Sequence, residues 1–287
     1  MYIKGYFIFF HFCLNAMLLR WVERFKIFFR LLLNSLKAWS FGDWLSFWLT
    51  AHRSKIQLHD YTMNIRTATF TNKLSDVMIV FEVLHDGEYE MCPIYPDDVI
   101  IDIGGHIGSF SIMASRKASR GKIFTYEAFE GTYQQLQKNL RDNNVPNVHA
   151  FNTAISDKVG ETSFFVNTIN QAQNSLYKES FAEAGEKHIV KTIPLQKVFA
   201  DNGISRCNLM KVDCEGAEYD ILFAGKDALQ NVDRIVLEYH EPTPVQLEKG
   251  YNPQSLEQLL RDVGFAVKTV QNNHYRGVMY GERPKAA

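Results

Sequence analysis

The sequence predicts an α/β fold: a doubly wound, Rossmann-like sheet that ends in an antiparallel hairpin and is preceded by an N-terminal helical extension. Three observations predict it. Apolar, β-branched runs alternate with helical patterns, the first of these runs enters a glycine-rich turn, and two short strands follow the last helix. We divide the 287 residues into an extension at 1–50, a lead-in segment at 51–95 and the α/β domain at 96–287.

The elements follow in order from hydrophobic periodicity and capping residues. Ser75 predicts the start of a helix over 75–84. The continuous apolar run Val99-Ile-Ile-Asp-Ile103 is typical of a parallel strand that is buried on both faces. Beyond it we predict helices at 110–116, 132–143 and 253–263 and strands at 122–126, 147–152, 208–213, 233–239, 265–271 and 275–280. The interval 157–207 is too long for a simple crossover and predicts an insertion, with strands at 161–166 and 188–194.

Composition excludes several classes of protein. Lys and Arg total 31 against 32 Asp and Glu, so the net charge is -1 and the chain lacks the basic excess of a nucleic-acid-binding protein. The 4 cysteines form no CxxC pair and have no histidine at zinc-finger spacing. We therefore expect reduced thiols in a cytoplasmic protein, without a disulfide framework or a structural zinc site.

Residues 1–50 differ from the rest in charge. They hold six Lys or Arg residues against two acidic ones, and their apolar run at 5–19 is shorter than the roughly 20 residues of a spanning helix. The next stretch predicts a basic amphipathic helix, which indicates attachment to an anionic membrane surface. Its apolar face contains Trp21, Phe25, Phe28, Leu32, Leu36 and Trp39, and its basic face contains Lys26, Arg30 and Lys37. There are two alternatives: this helix packs on the domain, or translation starts at Met17 or Met63.

The exit of the first strand carries the most informative motif, Asp102-Ile-Gly-Gly-His-Ile-Gly108. Gly104 is expected to let the turn approach a ligand without interference from a Cβ atom, and Gly108 to let the next helix lie close to the strand. The motif lacks the GxGxxG spacing that places a pyrophosphate at a helix start, which argues against NAD. A phosphate-free adenosyl ligand, S-adenosylmethionine, is the cofactor that we predict.

Two acidic residues complete that cofactor site. Asp102 is expected to face the ammonium group of the cofactor, directly or through water. Glu127 ends the second strand, about 20 residues after the glycine turn, where a carboxylate accepts hydrogen bonds from both ribose hydroxyls. The alternative is a structural glycine turn with solvated carboxylates.

These motifs resemble the FkbM-type S-adenosylmethionine-dependent methyltransferases over roughly residues 75 to 241. Gly105 and His106 stand where the family's glycine loop has Ala and Asn, and the proline of its Phe-Glu-Pro motif is absent after Glu127. The resemblance implies methyl transfer to oxygen, often on sugars or other small-molecule hydroxyls, and an adenine wall near Ala154 and Ile155. The other matching motifs, in family order, are Asn152-x-Ala154-Ile155-Ser156, Lys211-Val-Asp-Cys-Glu-Gly216 and Glu238-Tyr-His240.

Three residues at the ends of the fourth and fifth strands are the candidate catalytic groups. Asp213 and Glu215 project carboxylates toward one point, where one can accept the proton of an acceptor hydroxyl or both can hold a divalent cation. A chelator would separate these two roles. His240 is a further candidate, because an imidazole titrates near neutral pH and Glu238 lies on the same strand face to orient it. His106 is expected to position the ligand rather than to act as a base.

The sequence thus predicts an S-adenosylmethionine-dependent O-methyltransferase that acts on a sugar or glycan hydroxyl. The polar loop at 167–175 suits a polyhydroxylated acceptor, and Asn174-Ser175-Leu176 resembles a family loop motif, although a solvated loop explains the same residues. Two alternatives stay open: a polyketide, lipid or peptide acceptor, and a membrane-tethered nucleotide-binding module without catalysis. The second has no need of Asp213 and Glu215 at a strand end.

Overall fold

The computed structural model describes residues 54–57, 62–65, 80, 83, 89, 91–166, 175–177, 186–271 and 276–284. The helical extension predicted at 1–50 lies outside these residues, as does most of the helix predicted at 75–84. Two positions of that helix, Val80 and Val83, are described, and both are helical and buried. Within the described ranges, every helix is too short or too polar to cross a bilayer.

The elements alternate along the described chain in the predicted order. The strands are β1 (Ser54–Gln57), β2 (Thr62–Ile65), β3 (Val99–Ile103), β4 (Lys122–Glu127), β5 (Val148–Asn152), β6 (Ala154–Ser156), β7 (Gly160–Val166), β8 (Glu186–Pro194), β9 (Cys207–Val212), β10 (Val232–Tyr239), β11 (Ala266–Gln271) and β12 (Gly277–Glu282). The helices are α1 (Ser109–Lys117), α2 (Glu130–Asn143), α3 (Leu195–Asn202), α4 (Glu218–Ala224), α5 (Pro244–Glu248) and α6 (Pro253–Asp262).

Seven strands form the central sheet in the order β11-β12-β10-β9-β3-β4-β5. The five strands from β10 to β5 are parallel, and β12 pairs antiparallel with both β10 and β11. This topology confirms the doubly wound sheet and its terminal antiparallel hairpin. Because the chain runs from β3 to β4 on one side and returns to β9 on the other, a crevice opens at the carboxyl ends of β3 and β9.

The insertion between β5 and β9 forms a second, three-stranded sheet in the order β6-β8-β7. Two of its strands coincide with the predicted ones, whereas β6 was not predicted. At three residues, β6 is too short to show the period of two that identifies a strand. Its partner is β8, with Ala154 opposite Thr192, so a distant pairing and not the local pattern determines this strand.

Several boundaries also differ from the predictions. The last strand, predicted at 275–280, runs from Gly277 to Glu282, because its register places Gly277 opposite Tyr239 and Glu282 opposite Arg234. The short helices α3, α4 and α5 were not predicted. They have five to eight residues each, which is less than the window that periodicity needs.

Strand residues alternate between two apolar layers on opposite faces of the central sheet. Ile100 and Leu209 belong to one layer, and Ile101 and Met210 belong to the other. The first layer also contains residues of the lead-in segment, namely Met63, Ile65, Val80 and Val83. Burying an apolar side chain of this size contributes about 1.5 to 3 kcal/mol. These four residues of the lead-in segment are therefore part of the domain's core.

Candidate functional site

The carboxyl ends of β3, β4 and β9 border an open cavity of about 850 Å³. This is the place where the strand order reverses, which is where ligands bind in open α/β sheets. The predicted site residues that line it are Gly104, Gly105, His106, Glu127, Ala154, Ile155, Asp213 and Glu215. The remaining predicted residues, Asp102, Gly108 and His240, are not part of the lining.

Glu127 ends β4 and presents a buried carboxylate to the cavity. Its Oε2 accepts a hydrogen bond from the backbone N–H of His106 at 3.0 Å, and its Oε1 accepts one from the N–H of Phe129 at 3.0 Å. The residue is 8% exposed, and this burial raises the pKa of Glu127 to about 7 even though both backbone bonds act in the opposite direction. The glycine turn and the ribose-binding candidate are thus directly connected.

The glycines of the turn also have structural reasons. A Cβ atom on Gly104 would lie 1.7 Å from the carbonyl oxygen of Asp213, so this glycine permits close approach of the β9 end. Gly108 has φ +94°, and a Cβ there would meet only side chains, the nearest at 3.5 Å. Its left-handed conformation at the start of α1, and not close packing, favours glycine.

Asp102 lies beneath the turn and outside the lining of the cavity. Its position therefore does not favour direct contact with a ligand. The side chain is fully buried, and its Oδ2 accepts hydrogen bonds from Ser111 Oγ at 2.6 Å and Thr125 Oγ1 at 3.1 Å. Its Oδ1 lies 3.3 Å from Lys211 Nζ. Lys211 in turn donates to the carbonyl oxygen of Gly104 at 2.7 Å, so Asp102 and Lys211 together hold the turn.

Lys211 is a functional residue to which sequence reasoning gave no role. Burial opposes its charge, but the carboxylates of Asp102 and Asp213 outweigh burial and raise the pKa of Lys211. The ammonium group lies 3.7 Å from Asp213 Oδ2 and keeps the pKa of Asp213 below its usual range despite burial. The Tyr89 hydroxyl approaches the same Oδ2 atom at 3.4 Å, so the lead-in segment also contributes to the site.

Glu218, the first residue of α4, organises the segment that follows β9. It is fully buried, and its Oε1 accepts hydrogen bonds from the backbone N–H groups of Gly216 at 3.1 Å and Cys214 at 3.3 Å. The same atom lies 2.9 Å from His240 Nδ1. The predicted orienting residue, Glu238, instead accepts a hydrogen bond from Arg276 Nε at 2.8 Å. Glu218 was missed because it stands on an unpredicted short helix.

His240 follows β10 and lies between carboxylates. Its Nε2 is 3.2 Å from Glu215 Oε2 and 4.0 Å from Glu238 Oε1. Burial lowers the pKa of His240, but Glu215 and Glu218 outweigh burial and raise the pKa to about 10. These carboxylates favour the protonated form of the ring, whereas a general base needs the neutral form.

The comparisons with known proteins agree with this site. A family model described as the methyltransferase FkbM domain matches residues 102–267, which include the glycine turn and both strand-end motifs. The chain is 28% identical to methyltransferase sdnD of Sordaria araneosa over 68% of this chain and 84% of that protein. It is 27% identical to the hexuronic acid methyltransferase AglP of Haloferax volcanii, over 65% of this chain and 71% of that protein.

A further relative is the 2-O-methyltransferase NoeI of Sinorhizobium fredii, which is 24% identical over 51% of this chain and 65% of that protein. The family match spans more than half of the sequence and confirms the resemblance found in the motifs. The chain is a methyltransferase, and it belongs to the FkbM methyltransferase family.

Proposed function

We propose that this methyltransferase transfers the methyl group of S-adenosylmethionine to a hydroxyl group of a sugar or glycan. The observation that carries the proposal is a single cavity that is lined by the Glu127 carboxylate at β4 and by the Asp213 and Glu215 carboxylates beyond β9. Donor-dependent O-methylation needs one group that holds the donor's ribose and another that takes the acceptor's proton. Here both kinds of carboxylate border one space.

The residues present fit S-adenosylmethionine. Each oxygen of Glu127 is fixed by one backbone N–H group and has a further lone pair for a ribose hydroxyl. The adjacent wall is apolar and suits an adenine ring, with Ala154, Ile155 and Phe164 in the lining. S-adenosylmethionine supplies an electrophilic methyl group on a positively charged sulfur.

The chain's own residues orient the acceptor and take its proton. Glu215 is our candidate for the proton acceptor, because it lines the cavity from a left-handed backbone position with φ +53°, and such strain in a residue other than glycine concentrates at active sites. Asp213 supplies a second, fixed negative charge. Holding the acceptor oxygen in line with the methyl carbon lowers the barrier more than the proton transfer itself.

A relative named as a hexuronic acid methyltransferase supports the sugar acceptor, and one named as a 2-O-methyltransferase supports transfer to oxygen. Mass spectrometry of four kinds of extract, which contain cell-envelope sugars, polyketides, lipids or peptides, tests the sugar acceptor after incubation with the protein and S-adenosylmethionine. We expect sugars that have gained one methyl group only when the donor is present. Methylated polyketides, lipids or peptides in place of sugars would reassign the acceptor. Unchanged extracts of all four kinds would contradict methyl transfer.

We propose that the reaction takes place in the cytoplasm and that residues 1–50 attach the protein to the inner face of the membrane. The support is the predicted basic amphipathic helix, in which each basic residue near an anionic leaflet contributes about 1 kcal/mol. A protein that starts at Ala51 should bind S-adenosylmethionine but no longer sediment with anionic liposomes. Exchange of Lys26, Arg30 and Lys37 for Glu should weaken sedimentation of the full chain. Full-length protein that does not sediment with anionic liposomes would contradict this attachment.

Donor affinity should depend on pH through Glu127. The pKa of Glu127 is raised to about 7, so the carboxylate becomes protonated as the pH falls through 7. Ribose hydroxyls bind the ionised form, and we expect affinity for S-adenosylmethionine to fall by up to about tenfold per pH unit below 7 and to level off above it. Calorimetric titrations at several pH values between about 5.5 and about 8 measure the effect. In Glu127→Gln the same titrations should show a much flatter profile, and an equally steep one would assign the effect to another group.

A further inference from the structure

We propose that Asp213, Glu238 and His240 form a binding site for one divalent transition-metal cation next to the cavity, which Asp213 lines. One ligand atom from each of these residues lies within 4.8 Å of the other two. Asp213 follows β9, and the other two residues end or follow β10, so adjacent parallel strands bring the three together. The use of the cation in catalysis rests on the proposed function, whereas its binding does not.

The orientation of His240 is a second, independent observation that points to a cation. The residue is 9% exposed, and its Nδ1 is fixed by the fully buried Glu218 carboxylate at 2.9 Å. Its Nε2 makes no hydrogen bond among the described residues, although Glu215 Oε2 lies 3.2 Å away. A histidine that is held through one ring nitrogen by a carboxylate, with the other nitrogen directed at further ligands, is the usual arrangement at metal sites.

The balance of charge in the described part of the site also favours a cation. Five carboxylates cluster there, those of Asp102, Asp213, Glu215, Glu218 and Glu238. Against them stand the cationic side chains of Lys211 and Arg276. Buried charge that lacks a partner is costly, so the excess negative charge favours a further positive group.

The ligand set indicates the class of metal. One imidazole nitrogen and two carboxylate oxygens form a mixed set that suits Mn²⁺ or Zn²⁺ better than Mg²⁺, which prefers oxygen ligands alone. A dication here would lower the pKa of an acceptor hydroxyl beside it. The hydroxyl proton then goes to Glu215. The new bond joins the acceptor oxygen to the methyl carbon, and the carbon–sulfur bond breaks with its electron pair staying on sulfur.

Binding of Mn²⁺ to the full chain, followed by electron paramagnetic resonance, tests the site. We expect one Mn²⁺ per chain and at least about tenfold weaker binding in both Glu238→Gln and His240→Ala, because the first loses the charge of a ligand and the second loses a ligand. The matched control is Asp201→Asn on α3, an exposed carboxylate paired with Lys197, which should bind Mn²⁺ as the unchanged protein does. Absence of stoichiometric binding, or equal binding in all variants, would overturn the proposal.

A second measurement needs no variant and so does not depend on their folding. Electron spin echo envelope modulation of the unchanged protein with Mn²⁺ should show one coupled imidazole nitrogen, from His240. Bound Mn²⁺ without a coupled nitrogen would overturn the site as assigned. Failure of the metal site and failure of the proposed function remain distinguishable, because calorimetry with S-adenosylmethionine in the presence of EDTA reports donor binding alone.

Discussion

Turnover should fall by about 100-fold or more when Asp213 is replaced by Asn, while the affinity for S-adenosylmethionine changes little. Asp213 lines the cavity next to the glycine turn, and its charge is balanced by Lys211 at 3.7 Å. Asn keeps the size and shape of the side chain but removes the negative charge from the place where the methyl group is transferred. Initial rates with saturating donor measure kcat, and calorimetry measures donor affinity.

Asp201→Asn is the control for this substitution. It makes the same chemical change at an exposed ion pair with Lys197, outside the cavity, and should leave kcat unaltered. A folded Asp213→Asn protein whose turnover stays within about threefold of the unchanged enzyme would show that this carboxylate is not part of the catalytic machinery.

Replacement of Glu127 by Ala should weaken the binding of S-adenosylmethionine by about 1.5 to 3 kcal/mol, the range for hydrogen bonds to a charged group. The carboxylate is proposed to accept both ribose hydroxyls, and its loss leaves them without a charged partner. Calorimetric dissociation constants of the two proteins give the difference directly.

The Ala variant also loses the hydrogen bonds from the N–H groups of His106 and Phe129, so part of its effect arises from the turn. Glu127→Gln separates the two contributions, because its amide oxygen can still accept one of these bonds but carries no charge. Circular dichroism checks that both variants are folded. Affinity equal to that of the unchanged protein in a folded Ala variant would contradict the ribose assignment.

The sheet could be predicted because its strands are continuous apolar runs and its helices carry a regular period. Val99–Ile103 is an example: four of its five residues are apolar, so a buried parallel strand is the simplest interpretation. The ends of such strands lie at one edge of the sheet, which is why Glu127 and Asp213 could be assigned to a common site. Short elements such as β6 and α4 depend on distant pairing and are not visible in a local pattern.

The parts of the site that were missed are contacts between residues far apart in sequence. Tyr89 reaches Asp213 across 124 positions, and Glu218 reaches His240 across 22. Asp102 was assigned to a ligand because the sequence does not show that Lys211 lies beside it. A motif therefore identifies which residues belong to the site, whereas the partner of each charged group becomes evident only in three dimensions.

The central claim is that the cavity binds S-adenosylmethionine as the methyl donor. Isothermal titration calorimetry of the unchanged full-length protein with S-adenosylmethionine and, separately, with NAD tests this claim most directly. The account predicts one bound S-adenosylmethionine per chain and no detectable binding of NAD. Binding of NAD without binding of S-adenosylmethionine, or binding of neither, would contradict it.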